Sequence, residues 1–330
     1  MAIIQLADAV QQSTVLVNTL SDTDAAPVHI AFGINHAYAR GLGITLFSLL
    51  INHPHTAFHA HIFSDSLDEK DVKKLQSLAE AYPLIITLHI FNSTWLDNLP
   101  AVGRYPKSIY YRFLIPETVA RYSDRVIYID ADTLVVGDYS PLFMLDIGQY
   151  TLCACNDTPR ARQNQCNKLG LSSGNYFNSG FMLINIPRWL ASNTTERITD
   201  VLVKQGTEFG FPDQDALNLV LEEDVLILPE RYNHIYDIIA NKVWHAFRVP
   251  EDTVMIHYTG KCKPWHAWGG GDLSLIYFDY YQRSPWADQP LDLPGNHKEM
   301  KRFSRIKWHQ KHYAESVSWM MNYIRHKFFN

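Results

Sequence analysis

The chain has 330 residues, 47% of them hydrophobic and 13% aromatic, and a formal charge of −5. That composition excludes a disordered polypeptide and is ample for one large α/β domain or two small ones. The acidic balance argues against a general nucleic-acid binder. The charge is unevenly spread. After His297 eight Lys/Arg face two Glu, a net +6, so the preceding residues carry −11. A basic tail with a separate role is expected. Cys153, Cys155, Cys166 and Cys262 form no Cys-x-x-Cys pair, which argues against a zinc site or redox dithiol and fits a reducing compartment. Neither a signal-peptide pattern nor an apolar run of roughly 20 residues is visible. A cytoplasmic protein, at most peripheral to a membrane, is expected.

In chain order, Ile3, Leu6, Ala7 and Val10 have helical spacing, within a mixed N-terminal extension of residues 1–27. Val28–Ile34 reads as a strand, with Gly33 near its end. Ala37–Asn52 reads as a helix with Leu42, Leu46, Leu49 and Leu50 as its buried stripe. Phe58–Phe63 is a second strand, Ser66–Tyr82 a second helix, and Leu84–Phe91 a third strand. Alternating strands and helices predict a parallel sheet whose ligands sit at the carboxyl ends of the strands. Gly33–Tyr38 lies at such an end. Gly41-Leu-Gly43 lacks the third glycine of a dinucleotide fingerprint and sits inside the helix, so helix packing explains it better. His53-Pro-His55 and His59-Ala-His61 read as surface or strand histidines without a metal.

Ser108–Val119 reads as a helix carrying Tyr110, Tyr111 and Arg112. The run from Arg125 to Val136 begins as a buried apolar strand. It then places Asp130 and Asp132 around Ala131. Paired acids at the end of a buried strand are costly unless a cation binds them. Alternate strand residues point to one side, roughly 6.8 Å apart, and a modest bend lets both reach one ion. An isolated Asp-x-Asp is otherwise a turn with two solvated acids. Tyr150–Cys155 is a further strand ending in Asn156-Asp157. Gly174–Ile186 joins a polar turn, with Asn178, to an apolar strand. Phe211-Pro-Asp213-Gln214-Asp215 opens a helix buried through Leu217, Val220 and Leu221, where acids have an ordinary explanation as N-caps. The segment from Val254 is a strand that carries His257 and ends in a basic turn.

Taken together, the Asp130-Ala-Asp132 strand, Tyr-Phe-Asn-Ser-Gly ahead of a Leu-Ile-Asn strand, Asp213-Gln-Asp215 and His257-Tyr-x-Gly-x-x-Lys263-Pro-Trp265 resemble glycosyltransferase family 8. The resemblance covers roughly Val28 to Trp268. It is most similar to the bacterial enzymes that extend the lipopolysaccharide outer core, which also end in a basic, aromatic tail.

The resemblance implies a single Rossmann-like nucleotide-sugar domain of GT-A type over residues 28–270, with a mostly parallel sheet. A helical, basic, membrane-associating region would follow over 271–330. It implies Asp130, Asp132 and His257 as ligands of Mn²⁺ or Mg²⁺, with Ala131 between the acids. Gly260 and Lys263 would grip the diphosphate. Gly33, Ile34, Asn35 and Tyr38 would form the uridine pocket, Asn35 standing where the family often has Asp; an amide carbonyl still accepts from uracil N3–H. Arg112, Asp157, Asn178, Asp213 and Gln214 would surround the donor sugar. The implied partners are UDP-glucose or UDP-galactose, a lipopolysaccharide core acceptor and an anionic membrane surface on the inner face of the inner membrane. The implied reaction is retaining transfer. A carboxamide such as Gln214 is a poor nucleophile, which favours a front-face route. A glycogenin-like enzyme, a catalytically inactive UDP-sugar-binding protein and, less well matched, a dinucleotide-dependent oxidoreductase stand as alternatives.

Overall fold

The computed structural model describes residues 9–21, 24–101, 105–239, 249–270 and 272–328. Its strands are β1 (Val10–Asn18), β2 (Val28–Ile34), β3 (Phe58–Ser64), β4 (Leu84–Phe91), β5 (Arg125–Ile129), β6 (Thr133–Val135), β7 (Leu152–Cys155), β8 (Phe181–Asn185), β9 (Val225–Leu228), β10 (His234–Asp237) and β11 (Met255–Thr259). Its helices are α1 (Ala39–Asn52), α2 (Glu69–Leu78), α3 (Ile115–Val119), α4 (Ser140–Phe143), α5 (Pro159–Leu169), α6 (Ile186–Ala191), α7 (Thr194–Gln205), α8 (Pro212–Val220), α9 (Asp272–Arg283), α10 (His297–His309) and α11 (Tyr313–Phe328).

The main sheet has the order β1-β4-β3-β2-β5-β8-β7-β9, and a small sheet has the order β10-β11-β6. The run β4-β3-β2-β5 is parallel. β8 is antiparallel to both β5 and β7, so the sheet is mixed. Each face carries its own apolar cluster. One, under α1 and α2, includes Leu42, Leu46, Leu49 and Ile62. The other, under α3 and α6–α8, includes Phe63, Tyr128, Trp189 and Leu217. A sheet covered on both faces explains why β3 is buried along its whole length and reads as a continuous apolar run interrupted only by His59 and His61.

Several local expectations change. Val10 opens an antiparallel edge strand on β4 in place of a helix; Ile3, Leu6 and Ala7 lie outside the described residues. The β-branched run Val15–Val17, paired with β4, outweighs a short helical spacing. The expected helix over 108–119 is a 3₁₀ segment, Lys107–Leu114, followed by α3. Pro116 has no N–H to extend an α-helical ladder backwards through that junction.

The expected single strand over 125–136 is two strands in two sheets. β5 stays in the main sheet. Residues 130–132 leave it, and β6 pairs antiparallel with β11, Thr133 opposite His257. The free side of β6 is closed by α1. Thr45 Oγ1 donates to Thr133 O at 2.8 Å, Val135 N donates to Ser48 Oγ at 2.9 Å, and Asn52 Nδ2 donates to Val135 O at 3.0 Å. These side chains satisfy backbone groups that a neighbouring strand would otherwise take. The approach requires small residues. A Cβ on Gly41 would lie 2.3 Å from Ala131 O, and one on Gly43 2.3 Å from the Trp286 ring.

The C-terminal helices form a hairpin that turns at Lys311, φ 64°. Ser304 Oγ donates to Ser316 O at 2.8 Å and Ser316 Oγ returns a bond to Ser304 O at 2.7 Å. α10 docks on the sheet domain through Phe303, Ile306 and Arg302, whose guanidinium donates to the carbonyls of Trp268 and Ile238, both at 2.9 Å. α11 stands outside. Val317, Met321, Ile324 and Phe328 are all exposed on it.

Candidate active site

The break between β5 and β6 is the centre of the site. Asp130 N donates to Gly180 O at 2.8 Å, and Tyr258 N donates to Asp132 O at 2.9 Å. The two acids are thus pinned to the turn before β8 and to β11. Asp130 Oδ1 accepts from Tyr128 OH at 2.5 Å and from Arg112 Nη2 at 3.0 Å. Asp132 Oδ2 takes the Lys263 ammonium at 2.5 Å, and Lys263 Nζ also donates to Tyr258 O at 2.9 Å. Burial raises the Asp132 carboxyl, but the Lys263 ammonium outweighs it and holds the pKa well below the usual range. Burial likewise depresses Lys263, and Asp132 more than restores its charge.

His257 Nε2 lies 3.2 Å from Asp132 Oδ1 and 3.8 Å from Asp130 Oδ2. Its protonation follows from a chain of bonds starting at a backbone amide. Gly180 N donates to Asn178 Oδ1 at 3.0 Å, so the Asn233 group that reaches Asn178 Oδ1, at 2.9 Å, is its NH₂. The Asn233 oxygen therefore faces His257 Nδ1, at 3.0 Å. The proton of neutral His257 sits on Nδ1, and Nε2 directs a lone pair at two carboxylates. A cation between these atoms removes the repulsion. Asp130, Asp132 and His257 each place one ligand atom within 4.8 Å of the others. Two carboxylates and an imidazole oriented by its far nitrogen fit a divalent ion of Mn²⁺ or Mg²⁺ type. Gly180 leaves room for this arrangement, since a Cβ there would lie 2.2 Å from His257 Cε1.

Beside the acids runs a second network. Arg112 is buried and bridges Asp130 to Asp213, Nη1 lying 3.1 Å from Asp213 Oδ2. Its Nη1 also donates to Ser179 O at 2.8 Å and Ser179 Oγ at 2.7 Å, and its guanidinium lies 4.7 Å from the Tyr128 ring centre. Burial raises the Asp213 carboxyl, Arg112 pulls it back, and the direction that remains is upward. Asp213 lies in the first turn of α8 and is not its N-cap residue, which is Phe211. The acid that binds the amides leading into α8 is Asp215, whose Oδ2 accepts from Gly210 N at 2.9 Å and Phe211 N at 3.1 Å. Gln214 is held on both sides. Its Oε1 accepts from Asn178 Nδ2 and Ser179 N, each at 3.1 Å, and its Nε2 donates to Asp157 Oδ2 at 2.8 Å. Asp157 Oδ2 also accepts from Asn178 Nδ2 at 3.1 Å. It lines a cleft of about 200 Å³ with Asn156, Pro159, Arg162, Leu228 and Glu230.

The remaining expected residues lie around the mouth. Gly33 and Ile34 end β2, and a Cβ on Gly33 would approach Tyr111 Cβ to 3.2 Å. Asn35 Oδ1 caps the 3₁₀ turn His36–Tyr38 by accepting from Ala37 N at 3.1 Å, which leaves that oxygen one further lone pair. Tyr38 packs edge-on against Trp265, ring centres 5.8 Å apart. Gly260 has φ +83° and abuts Asp237, a conformation in which a side chain is strained. The sequence assigns no role to Tyr128, Ser179, Gly180 or Asn233, although Ser179 and Gly180 close the Tyr-Phe-Asn-Ser-Gly motif. Ser179 and Gly180 lie in the turn that carries Asn178, but nothing around Asn233 marks it.

Comparison with known proteins agrees with this architecture. Residues 29–269 match the model of Glycosyl transferase family 8, and residues 274–327 that of Glycosyl transferase family 8 C-terminal. The chain is a member of glycosyl transferase family 8. It is 29% identical over 333 residues to the lipopolysaccharide 1,3-galactosyltransferase of Salmonella typhimurium, covering 97% of both chains. It is 32% identical over 304 residues to a lipopolysaccharide 1,2-glucosyltransferase of Escherichia coli, covering 89% of this chain and 90% of that one. Its fold resembles that of the galactosyltransferase LgtC, solved with donor and acceptor sugar analogues, with a TM-score of 0.66 at 23% identity over 78% of this chain and 96% of that one. The fold is therefore GT-A-like, with a helical C-terminal region.

Proposed function

We propose that the protein is a retaining, metal-dependent transferase that moves glucose or galactose from a UDP-sugar to the lipopolysaccharide outer core. The observation that carries this reading is the convergence of Asp130, Asp132 and the Nε2 lone pair of His257, with Lys263 against Asp132. Asp130, Asp132 and His257 would hold the ion. When bound, Mn²⁺ or Mg²⁺ neutralises charge on the diphosphate of the leaving UDP. Lys263 adds a second positive charge there, and Gly260 lets the backbone approach. Gly33, Ile34, Asn35 and Tyr38 hold uridine. Arg112, Asn178 and Asp213 orient the donor sugar. The acceptor hydroxyl enters from the cleft beside Asp157. Its oxygen bonds to the anomeric carbon as the bond to phosphate breaks, and its proton passes to the departing phosphate oxygen. Gln214 positions the reacting face; with its carbonyl already accepting two hydrogen bonds, it is a poor nucleophile.

Residues 28–270 constitute the catalytic unit and 271–330 the region that meets the membrane. No helix among the described residues is long and apolar enough to cross a bilayer. The exposed apolar residues of α11, with Arg325 and Lys327 in its last turn, suit an interfacial contact with anionic lipid. Because α10 is docked, Met321→Asp with Phe328→Asp tests this better than truncation. The pair should abolish co-sedimentation with anionic vesicles and transfer to membrane-bound acceptor while sparing UDP-sugar hydrolysis.

The decisive experiment follows hydrolysis of UDP-glucose and UDP-galactose with Mn²⁺ and no acceptor, alongside thermal stability with UDP. One sugar should be hydrolysed slowly. UDP at about 100 times its Kd should stabilise by about 2.7 kcal/mol, and only with the metal present. Equal stabilisation in excess chelator would overturn the metal-bridged reading.

A further inference from the structure

Near the opposite ends of the strands lies a second group of converging ligands that the transfer reaction does not use. His29 and His59 are register partners across β2 and β3, and His61 follows on the same face opposite Thr87 of β4. His59 and His61 are strand residues, one of the two expected readings, and they are buried together with His29: His29, His59 and His61 are 9%, 5% and 0% exposed. Each offers a ring nitrogen, and the three nitrogens lie within 4.8 Å of one another. His53 is also buried but has its own partners, Leu49 O and Tyr139 N.

We propose that His29, His59 and His61 bind a borderline transition cation of the Zn²⁺ class, independently of the site at Asp130 and Asp132. The donor set is three imidazoles with no carboxylate. That suits Zn²⁺, Co²⁺ or Ni²⁺ and discriminates against Mg²⁺ and Mn²⁺. Burial lowers the pKa of His29 and His59 to about 4, and that of His61 further, so all three are neutral at pH 7.

His29 Nδ1 and His61 Nε2 are 3.0 Å apart and share one proton. A cation bound by about 2.0–2.1 Å bonds replaces that proton with only a small opening of the pair. By exchange with solvent the proton moves to the far nitrogen of the ring that carried it, so every imidazole stays neutral. His61 Nδ1, the nitrogen away from His29, meets His89 Nε2 at 3.1 Å, and His89 Nδ1 meets Ser13 Oγ at 2.8 Å; His59 Nε2 meets Thr87 Oγ1 at 2.8 Å. With the cation in place, His61 donates to His89 and His89 to Ser13, the outer hydrogen bonds that orient ligating imidazoles. Tyr122 packs on His59 and His61 with ring centres 5.1 Å away, and Arg121 stacks on Tyr122. Arg121 opposes protonation of His61 and His89, and its charge likewise opposes the cation, so the coordination bonds have to outweigh it.

The test uses the full chain carrying Asp132→Asn, which impairs the other site. Zn²⁺ is titrated by calorimetry and Co²⁺ by its visible spectrum. We expect one equivalent bound, with the intense bands of four-coordinate Co²⁺. His59→Gln should lower affinity by more than about 100-fold, and Ser13→Ala or Thr87→Val, which remove the partners of His89 Nδ1 and His59 Nε2, by about 10-fold. Absence of binding in the Asp132→Asn chain overturns the proposal. So does unchanged affinity in His59→Gln, or, if that variant fails to fold, in both Ser13→Ala and Thr87→Val.

Discussion

His257 Nε2 reaches Asp132 Oδ1 at 3.2 Å because β6 and β11 are in a register that sets Thr133 opposite His257. Asp132 is the residue just before β6, so the pairing delivers the imidazole to the acids. A shift of one residue would turn His257 to the other face of the small sheet. The geometry of the candidate cation site is thus a property of strand pairing as much as of the three side chains.

Asn233 fixes the tautomer of His257. Asn233→Ala removes the acceptor at Nδ1, and Mn²⁺ affinity should fall by about 10- to 100-fold with far-ultraviolet circular dichroism unchanged. Wild-type affinity in calorimetric titration would show that the imidazole needs no such partner.

Gly180→Ala puts a Cβ 2.2 Å from His257 Cε1. The imidazole must move, so the metal-dependent stabilisation by UDP should vanish. Overpacking should also cost about 1–3 kcal/mol in urea unfolding. An unaltered UDP shift would mean that the turn before β8 yields and His257 does not.

Asp213 and Asp215 are expected to separate function from structure on one helix. Asp213→Asn keeps a polar group beside Arg112 and Ser179, and turnover should drop by orders of magnitude at a near-native melting temperature. Asp215→Asn weakens bonds to the Gly210 and Phe211 amides and disturbs Gln165 and Tyr176. It should lower stability by about 1–3 kcal/mol. The reverse pattern would exchange the two roles.

The buried histidines make stability sensitive to acid. Their folded pKa values lie below the ordinary 6.5, at about 4 for His29 and His59 and about 3 for His89, chiefly through burial. The unfolded chain therefore binds more protons below pH 6.5, and stability falls with pH from about 6.5 towards 4. Arg121 is the charged neighbour that reinforces the effect on His61 and His89. Urea midpoints measured across that window should decline in the wild type and decline less in His89→Gln. A flat wild-type profile would contradict the burial argument.

The site was legible where chemistry demands particular side chains. The acid pair of Asp130 and Asp132 stands out because burial of carboxylates needs compensation wherever it occurs; Asp213, Gln214 and Lys263 stand out only through the family resemblance, since locally they read as a helix start and a basic turn. The GT-A architecture was legible for the related reason that apolar runs with helical or strand periodicity must face a core. The departures came where an outside partner decided. Val10 became a strand because β4 offered an unpaired edge, and the run from Arg125 to Val136 divided between two sheets because β11 offered β6 a partner.

What the amino-acid order determined by itself is the set of groups that need a cation, a core or a cap. What only the tertiary structure decided is which distant groups answer that need. The break between β5 and β6, the helix glycines at 41 and 43, Asn233 behind His257 and the meeting of His29 with His59 and His61 all depend on strand register and close backbone approach. These are set by pairings between segments far apart in the chain, and local periodicity carries no record of them.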